Sequence, residues 1–476
     1  MAIRKGDNLK DVPHRNGLEY GSMLLALFAL AGAANLVPVR WNSSDPKSLD
    51  LLRDTPVNCV LLEPASWGPS FLKGALERKI AAFGVVHPGP DVVDQAHRAT
   101  QLKLAGLVLE GEYESSVGDR VRAALAGSHL PLIELASRGR IRLDQGDPIV
   151  GTWQGLWPGV EIEHGGKVSM GPTSSPWINT NTGFLRWLHA ATEAAVWLGE
   201  RPPPKTVYPA ERYSLAVADA AIAGARWIIA LDDDLQKRLV EGDAGALRAW
   251  KQITGYVRYF AEKPDWREYR PYSEFALVQS IKSGGLLSSG LLDMLSVQHT
   301  AVRAVPTRAL NAGALHNAKV VLTIDAESLQ SQQKQDLERF RASGGTVINT
   351  PAGWHFPQIA PDQTVPSRKQ MDHMQPVWEA TYNATARKNF GVRTFNTASV
   401  LFHLLAAPDG KSLLVHLLNY QDLPAEDVTI FVLGSWHRAR IYRPDTPVEE
   451  LPVYAVKDGT GVDIKKISVL ATLRLD

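Results

Sequence analysis

The chain has 476 residues, of which 45% are hydrophobic and 21% are charged, so it has the composition of a globular protein of about three domains rather than of a disordered chain. Its formal net charge is +1, and it has no run of basic residues of the kind that binds nucleic acid. The single cysteine, Cys59, excludes an internal disulfide and a cysteine-cluster metal site, and we expect it in the core.

An apolar run over residues 23–34 follows an N-terminal segment that contains four basic residues. Its length and its Ala31-Gly-Ala33 ending fit a secretory signal peptide, and it is too short to span a bilayer. A first helix packed against the next domain is the alternative. The sequence thus predicts a secreted or periplasmic protein, or a cytoplasmic one if this helix is retained, without an integral membrane span.

Strand-like and helix-like segments alternate between residues 35 and 265. The strands are short apolar runs without polar alternation, which is typical of strands covered on both faces in a parallel sheet. Several of these runs stop at a carboxylate, namely Glu63, Glu110, Glu134, Glu200 and Asp232. Eight strand–helix units within about 230 residues predict a (β/α)8 TIM barrel.

Two further domains are expected after the barrel. The polar, proline-punctuated segment 262–272 is typical of a linker, and the block 273–355 predicts a small Rossmann-like α/β domain. A proline-rich connection with little periodicity follows over 356–392. From 393 to 476 the apolar period becomes two residues between Asp-Gly and proline turns, which predicts a β-sandwich.

Glu110 and Glu200 are the candidate catalytic residues. α/β barrels gather their chemistry at the C-terminal ends of the strands, and acids after the fourth and seventh strands face each other there. Glycosidic bond cleavage uses two such carboxylates, one as proton donor and the other as nucleophile or base. Gly111 permits a close approach beside Glu110. Alternatively, Glu110 only ends its strand in solvent, and Glu200 only forms a salt-bridged turn with Arg201.

Aromatic and amide side chains near the same strand ends indicate a sugar site. Tryptophans in the loop segments 153–159 and 175–181 either stack on sugar rings or only plug the barrel mouth. The residues expected to bind substrate are Arg40, Trp41, Glu63, Glu112, Trp153, Gln154, Trp157, Trp177, Asn179 and Asp232. Two more aspartates follow Asp232, so a charge cluster at a helix N-terminus is the alternative for that segment.

Other chemistries find little support in the sequence. It has no histidine pair with metalloprotease spacing, no P-loop, no nucleophile elbow and no dinucleotide fingerprint. We therefore expect neither a metal nor a cofactor. The small α/β domain contains no cysteine that could serve an amidotransferase-like reaction, so we expect it to be structural or an oligomer interface.

The order of barrel, small Rossmann-like domain and β-sandwich resembles the family 42 β-galactosidases and related barrel glycoside hydrolases. The middle domain, with the strand 319–324 and the helix 333–343 before Gly344-Gly345, is similar to their trimerisation domain. The resemblance implies a homo-oligomer through this domain, with Glu110 as acid/base and Glu200 as nucleophile. Leu109 stands where that family has an asparagine before its acid/base glutamate.

The leading hypothesis is a glycoside hydrolase that cleaves oligo- or polysaccharides by a retaining two-carboxylate mechanism. A catalytically silent carbohydrate-binding or assembly protein on the same scaffold is the alternative, because a fold does not fix a function. A barrel enzyme of another kind, such as a lyase, is a third hypothesis.

Overall fold

The computed structural model describes residues 35–162, 168–170, 178–385 and 388–476. Its largest unit is a closed barrel of parallel strands, as predicted. The eight strands are Pro38–Arg40, Cys59–Leu62, Ala81–Val86, Gly106–Glu110, Leu132–Ala136, Ile149–Thr152, Ala195–Gly199 and Arg226–Ile228. Hydrogen bonds between the first strand and Ile229 close the barrel, because the Arg40 N–H donates to the Ile229 carbonyl over 2.8 Å.

Helices surround the barrel, although not after every strand. The α-helices are Pro69–Glu77, Val92–Gln101, Ser115–Ala124, Thr182–His189, Ala210–Ile222, Asp233–Val240 and Ala244–Ala261. Only the 3₁₀ helix Pro46–Leu52 follows the first strand, and only the 3₁₀ turn Arg138–Arg140 follows the fifth. After the sixth strand, an antiparallel hairpin of Val160–Ile162 and Val168–Met170 precedes the next helix. The expected alternation therefore holds, with 3₁₀ elements in place of α-helices after the first and fifth strands and a hairpin inserted before the helix that follows the sixth.

The two faces of the barrel strands pack into different cores. Alternate side chains, such as Leu61, Val108 and Trp197, form the inner core, while their neighbours pack outward against the helices. Successive side chains of a pleated strand point to opposite faces. The odd or even position of a residue along its strand, here called its parity, therefore decides whether its side chain faces the lumen. Trp187, Trp197 and Trp227 are buried in these cores, as the sequence pattern indicated.

The second unit is a four-stranded parallel sheet in the order Arg303–Pro306, Phe275–Gln279, Val320–Thr323 and Thr346–Asn349. The helices Gly290–Val297 and Ser331–Ala342 accompany it, which is the predicted Rossmann-like arrangement. The connection over 356–392, expected to be irregular, instead contains the helix Arg368–Thr385. Met374 of this helix is fully buried against Gly290, so apolar contact stabilises the helix despite Pro376 in its interior.

The third unit is the predicted β-sandwich of two antiparallel sheets. The larger sheet contains Arg270–Pro271, Val400–Ala406, Leu413–Asn419, Leu470–Leu475, Ala439–Arg443 and Thr446–Leu451. The smaller sheet contains Val392–Phe395, Ala425–Leu433, Gly459–Ile467 and Tyr454–Val456. Within the described ranges, no helix is both long and apolar enough to cross a bilayer. The expected signal segment, 1–34, lies outside those ranges.

Candidate active site at the barrel mouth

Glu110 is the last residue of the fourth barrel strand and has the same parity as Val108, which places its side chain in the lumen. Its Oε2 accepts a hydrogen bond of 2.6 Å from Nη2 of Arg40, which reaches across from the end of the first strand. Both side chains are at least nine-tenths buried. Gly111 has a φ of +137°, and a Cβ there would meet Pro88 at 3.0 Å, so only glycine suits the position after Glu110.

Glu200 directly follows the seventh barrel strand, so the predicted positions of both acids at the ends of the fourth and seventh strands agree with the structure. Nη2 of Arg40 lies 3.6 Å from where a Cβ on Gly199 would stand. The guanidinium that binds Glu110 therefore also borders the residue before Glu200. Within the described part of the chain, the Glu200 carboxylate forms no ion pair and accepts no hydrogen bond from a side chain.

The electrostatic surroundings of Glu200 favour its neutral form. Burial raises the pKa of this carboxyl from 4.5 to about 8, and the charge of Glu110 acts in the same direction. The positive charges of Arg40 and Arg138 oppose the rise without cancelling it. The mouth thus holds one carboxylate neutralised by an ion pair and a second that retains its proton at neutral pH.

Glu63, at the end of the second strand, lies in an ionic chain with two residues of neighbouring loops. Burial would raise the pKa of Glu63, but hydrogen bonds from His87 and Arg201 outweigh it and lower the value to about 2. His87 has Nε2 3.2 Å from Glu63 Oε2 and Nδ1 3.1 Å from the Glu110 carbonyl oxygen. The Glu63 carboxylate raises the pKa of His87. Arg201 therefore pairs with Glu63 and not with Glu200.

Two other acids singled out from the sequence point away from the lumen. Glu112 forms an ion pair of 2.7 Å with Arg140 at the surface. Glu134 has outward parity and pairs at 2.6 Å with Arg122, beside the helix that contains Gly118. These contacts do not bring either carboxylate close to Glu110 or Glu200.

Trp41, Gln154 and Asp232 have structural partners. The Trp41 ring is 1% exposed and donates its indole N–H to Ser48 Oγ, because its parity is opposite to that of Arg40. Gln154 accepts from the backbone N–H of Arg138 over 2.6 Å and donates to the Pro361 carbonyl in the connection 356–392. Asp232 is an N-cap that accepts from the Leu235 N–H over 2.9 Å, which agrees with the helix-terminus alternative.

The remaining expected sugar-binding residues divide between the lumen and an aromatic cluster. Trp153 packs at the end of the inner barrel core, and its indole N–H has no partner among the described residues. Trp157 is 6% exposed and lies 4.7 Å, centroid to centroid, from the Tyr208 ring. Asn179 is half-buried, and its backbone carbonyl accepts a hydrogen bond from the backbone N–H of Gly159. Trp177 lies outside the described residues.

Sequence reasoning missed Arg138 and Tyr208. Arg138, after the fifth strand, is 1% exposed, donates to Gln154 and to Asn181 Oδ1, and stands over the Phe184 ring. Burial lowers the pKa of Arg138 to about 10. Burial and the Glu200 charge raise the pKa of Tyr208 to about 12, and its buried hydroxyl has no partner among the described residues. Only the tryptophan-rich loops pointed to this region, since isolated Arg and Tyr residues carry no spacing signal.

Comparison with known proteins bears on the fold. No protein-family model and no curated protein sequence matches the chain. Among solved structures, the α-L-fucosidase isoenzyme 2 from Paenibacillus thiaminolyticus is similar with a TM-score of 0.61 and 11% identity, over 93% of this chain and 99% of that one. The β-galactosidase from Rahnella sp. R3 is similar with a TM-score of 0.50 and 9% identity, over 90% and 98%. The chain thus has the fold of multidomain barrel glycoside hydrolases.

Proposed function

We propose that the chain is a glycoside hydrolase whose catalytic pair is Glu110 and Glu200. The observation that carries this proposal is the contrast between the two carboxylates, one ion-paired and one held neutral, at strand ends bordered by the same Arg40. Glycosidic bond cleavage requires this division, because one group must deliver a proton while the other remains an anion. The similarity of the whole chain to barrel glycosidases supports the same activity.

The environments favour the reverse of the roles that the family resemblance implied. Glu200, with its raised pKa of about 8, is suited to donate a proton to the leaving oxygen at neutral pH. Glu110, bound to Arg40 at 2.6 Å, is suited to remain charged and to act on the anomeric carbon. We therefore assign the proton donor to the seventh strand and the anionic carboxylate to the fourth.

In the proposed retaining reaction, Glu200 protonates the glycosidic oxygen as the bond from that oxygen to the anomeric carbon breaks. The Glu110 carboxylate forms a bond to the anomeric carbon, which gives a glycosyl ester and a free alcohol. Glu200, now ionised, takes a proton from water, and the resulting hydroxide oxygen displaces Glu110. Arg40 stabilises the Glu110 anion before the first step and after the second.

Substrate contacts are proposed where side chains near the barrel mouth lack a complete set of internal partners. Trp153 would offer its ring to a sugar face and its indole N–H to a hydroxyl, and the buried Tyr208 hydroxyl would contact the reacting sugar beside Glu200. Asn179 and Trp177 remain proposed contacts on the basis of the sequence. Trp41 and Asp232 are left out because both are engaged in the core.

The test is hydrolysis of aryl glycosides, beginning with α-L-fucosides and β-galactosides because the two similar structures carry those names. Glu110→Ala and Glu200→Ala should each lower kcat at least 1000-fold, on the scale expected for loss of a catalytic carboxylate. Glu241→Gln, at an exposed surface position, is the matched control and should retain full activity. Hydrolysis that continues at more than a tenth of the wild-type rate in both alanine variants would contradict the proposal.

Reactions with azide as an external nucleophile distinguish the proton donor from the catalytic nucleophile. With Glu110→Ala, azide should attack the anomeric carbon directly and yield a glycosyl azide of inverted configuration. With Glu200→Ala and a good leaving group, azide should enter after the glycosyl ester and yield the retained configuration. The opposite pattern would restore the roles implied by the family resemblance.

A catalytically silent carbohydrate-binding protein is the second candidate. The observation in its favour is the buried Arg40–Glu110 ion pair, which also fits a structural clamp across the barrel. That hypothesis predicts that oligosaccharides bind to wild type and to Glu110→Gln alike, without turnover by either protein.

A further inference from the structure

A large cavity lies at the end of the barrel opposite to Glu110 and Glu200, where all three units meet. It encloses about 550 Å³ between the starts of the seventh and eighth barrel strands, the segment 260–272, and residues of the middle sheet and the sandwich. The seventh strand separates this cavity from Glu200 by roughly 15 Å, at about 3.3 Å per residue. The cavity is therefore distinct from the proposed active site.

The lining of this cavity is strongly cationic although the chain as a whole is almost neutral. Its cations are Arg186, Arg226, Lys263, Arg267, Arg270 and Arg303. Among the described residues, Glu193 provides the only carboxylate of the lining. Within the described part of the chain, none of the six cations forms an ion pair with a carboxylate. Asp293 and Asp219 act electrostatically on Arg186, and Glu262 and Asp265 act on Lys263, whereas Arg226 and Arg303 have no such counter-charge among the described residues. An excess of like charge around one cavity is costly unless an anion compensates it.

The cations form a graded entrance from solvent to a buried floor. Arg267 and Arg270 are exposed at the rim, and Arg226 and Arg303 are half-buried along the wall. At the floor, Arg186 is only 9% exposed, and its Nη1 and Nη2 donate to Ser296 and to the Phe402 carbonyl. Its Nε has no hydrogen-bond partner among the described residues.

Arg226 is the clearest unsatisfied group of the wall. Its Nε is buried without a partner among the described residues, and no side chain of those residues accepts from its guanidinium. Burial and the charge of Arg267 together lower its pKa to about 10. The neighbouring imidazoles add no positive charge, because burial lowers the pKa of His189 to about 4 and that of His416 to about 3. The arginines thus supply the charge and the donors.

We propose that this junction cavity is a binding site for a small anionic molecule that carries phosphate or carboxylate groups. Guanidinium groups match the planar or tetrahedral oxygens of both groups with paired N–H donors. The volume accommodates a ligand of the size of a sugar phosphate or a dicarboxylic acid. Because the ligand would contact all three units, it would also stabilise their junction.

The test is isothermal titration calorimetry of the full chain with inorganic phosphate, pyrophosphate and citrate at constant low ionic strength. We expect at least one probe to bind with a Kd below 1 mM, and the preferred probe identifies phosphate or carboxylate as the ligand chemistry. Arg226→Gln should weaken that binding at least tenfold, and Arg303→Gln should weaken it in the same direction. Arg341→Gln removes an equally charged but exposed residue of the helix Ser331–Ala342 and should leave the Kd unchanged.

A melting experiment keeps the proposal falsifiable if a variant is poorly folded. Arg226→Gln removes a cation without a described partner, so without ligand its Tm should equal or exceed that of wild type. At a concentration near the wild-type Kd, the preferred probe should raise the Tm of wild type and of Arg341→Gln clearly more than that of Arg226→Gln. The proposal is overturned if no probe binds wild type, or if Arg341→Gln weakens binding as much as Arg226→Gln.

Discussion

Replacement of Glu200 by glutamine should abolish catalysis and at the same time stabilise the protein at alkaline pH. The pKa of Glu200 is raised from 4.5 to about 8, mainly by burial. At about 1.4 kcal/mol for each pKa unit, the full shift corresponds to about 5 kcal/mol between the two protonation states. Because this side chain keeps some access to solvent, we expect about 2 kcal/mol in a measurement.

The direction of this change in stability with pH follows from the linkage between proton binding and folding. Below pH 4.5, Glu200 is protonated in both the folded and the unfolded chain, so wild type and Glu200→Gln should have similar free energies of unfolding. Between pH 4.5 and about 8 the unfolded chain loses this proton while the folded chain keeps it, which lowers the stability of wild type. The glutamine variant has no such proton, so its advantage should grow over this window and be complete above pH 8.

Urea unfolding followed by tryptophan fluorescence at pH 4 and at pH 8.5 measures the difference. Glu200→Gln should have the higher midpoint at pH 8.5 only, and the exposed Glu241→Gln should match wild type at both values. The activity of wild type should fall as the pH rises through about 8, when the proton donor ionises. An equal midpoint at pH 8.5, or an alkaline activity limb below pH 6, would refute the reasoning.

Three further substitutions test the site. Arg40→Met leaves the buried Glu110 charge unpaired and should lower the unfolding free energy by about 3–5 kcal/mol, measured by urea titration. The double variant Arg40→Met/Glu110→Gln removes that charge as well and should recover most of this loss. Asp232→Ala removes the N-cap and the Tyr213 hydrogen bond, so it should cost about 2 kcal/mol in thermal unfolding, yet leave kcat/KM within about twofold. A tenfold loss of kcat/KM would instead make Asp232 a substrate ligand. Tyr208→Phe should change the unfolding free energy by less than about 0.5 kcal/mol, because the Tyr208 hydroxyl has no described partner. The same substitution should lower kcat about tenfold in glycoside assays. An unchanged kcat would exclude the proposed contact with substrate.

The fold could be predicted from the sequence because the signal for buried parallel strands is local. Three apolar runs stop directly at an acid and mark the C-terminal end of a strand, and two of those acids were correctly located at the ends of the fourth and seventh strands. Glu134 was wrongly taken to end its run, because the strand Leu132–Ala136 continues past it. The helix Arg368–Thr385 was missed because Pro376 and a polar composition hide its one apolar contact face. The contact that stabilises this helix lies in a segment some eighty residues earlier, which a local pattern cannot reveal.

The sugar-binding residues were harder to predict, since a tryptophan near a strand end was taken to face the lumen. Arg40 and Trp41 are consecutive in an extended segment, so only one of them can point inward. Arg40 does so and binds Glu110, while Trp41 packs outward on the Trp250 ring at 6.4 Å. The same parity separates Glu110, in register with the inward Val108, from the outward Glu134. Parity was available from the sequence alone once the strands were assigned.

Parity does not predict which acid keeps its proton, because that depends on burial and on arginines from other elements of the fold. Glu63, Glu110, Glu112 and Glu134 each form an ion pair with an arginine. Among the described residues, Glu200 forms none, although Arg201 is its neighbour in sequence. Arg201 reaches Glu63 instead, so the partner that would hold Glu200 as an anion is engaged elsewhere. A proton donor therefore arises here from the burial of a carboxylate that no arginine pairs with, and only the closed barrel determines both conditions.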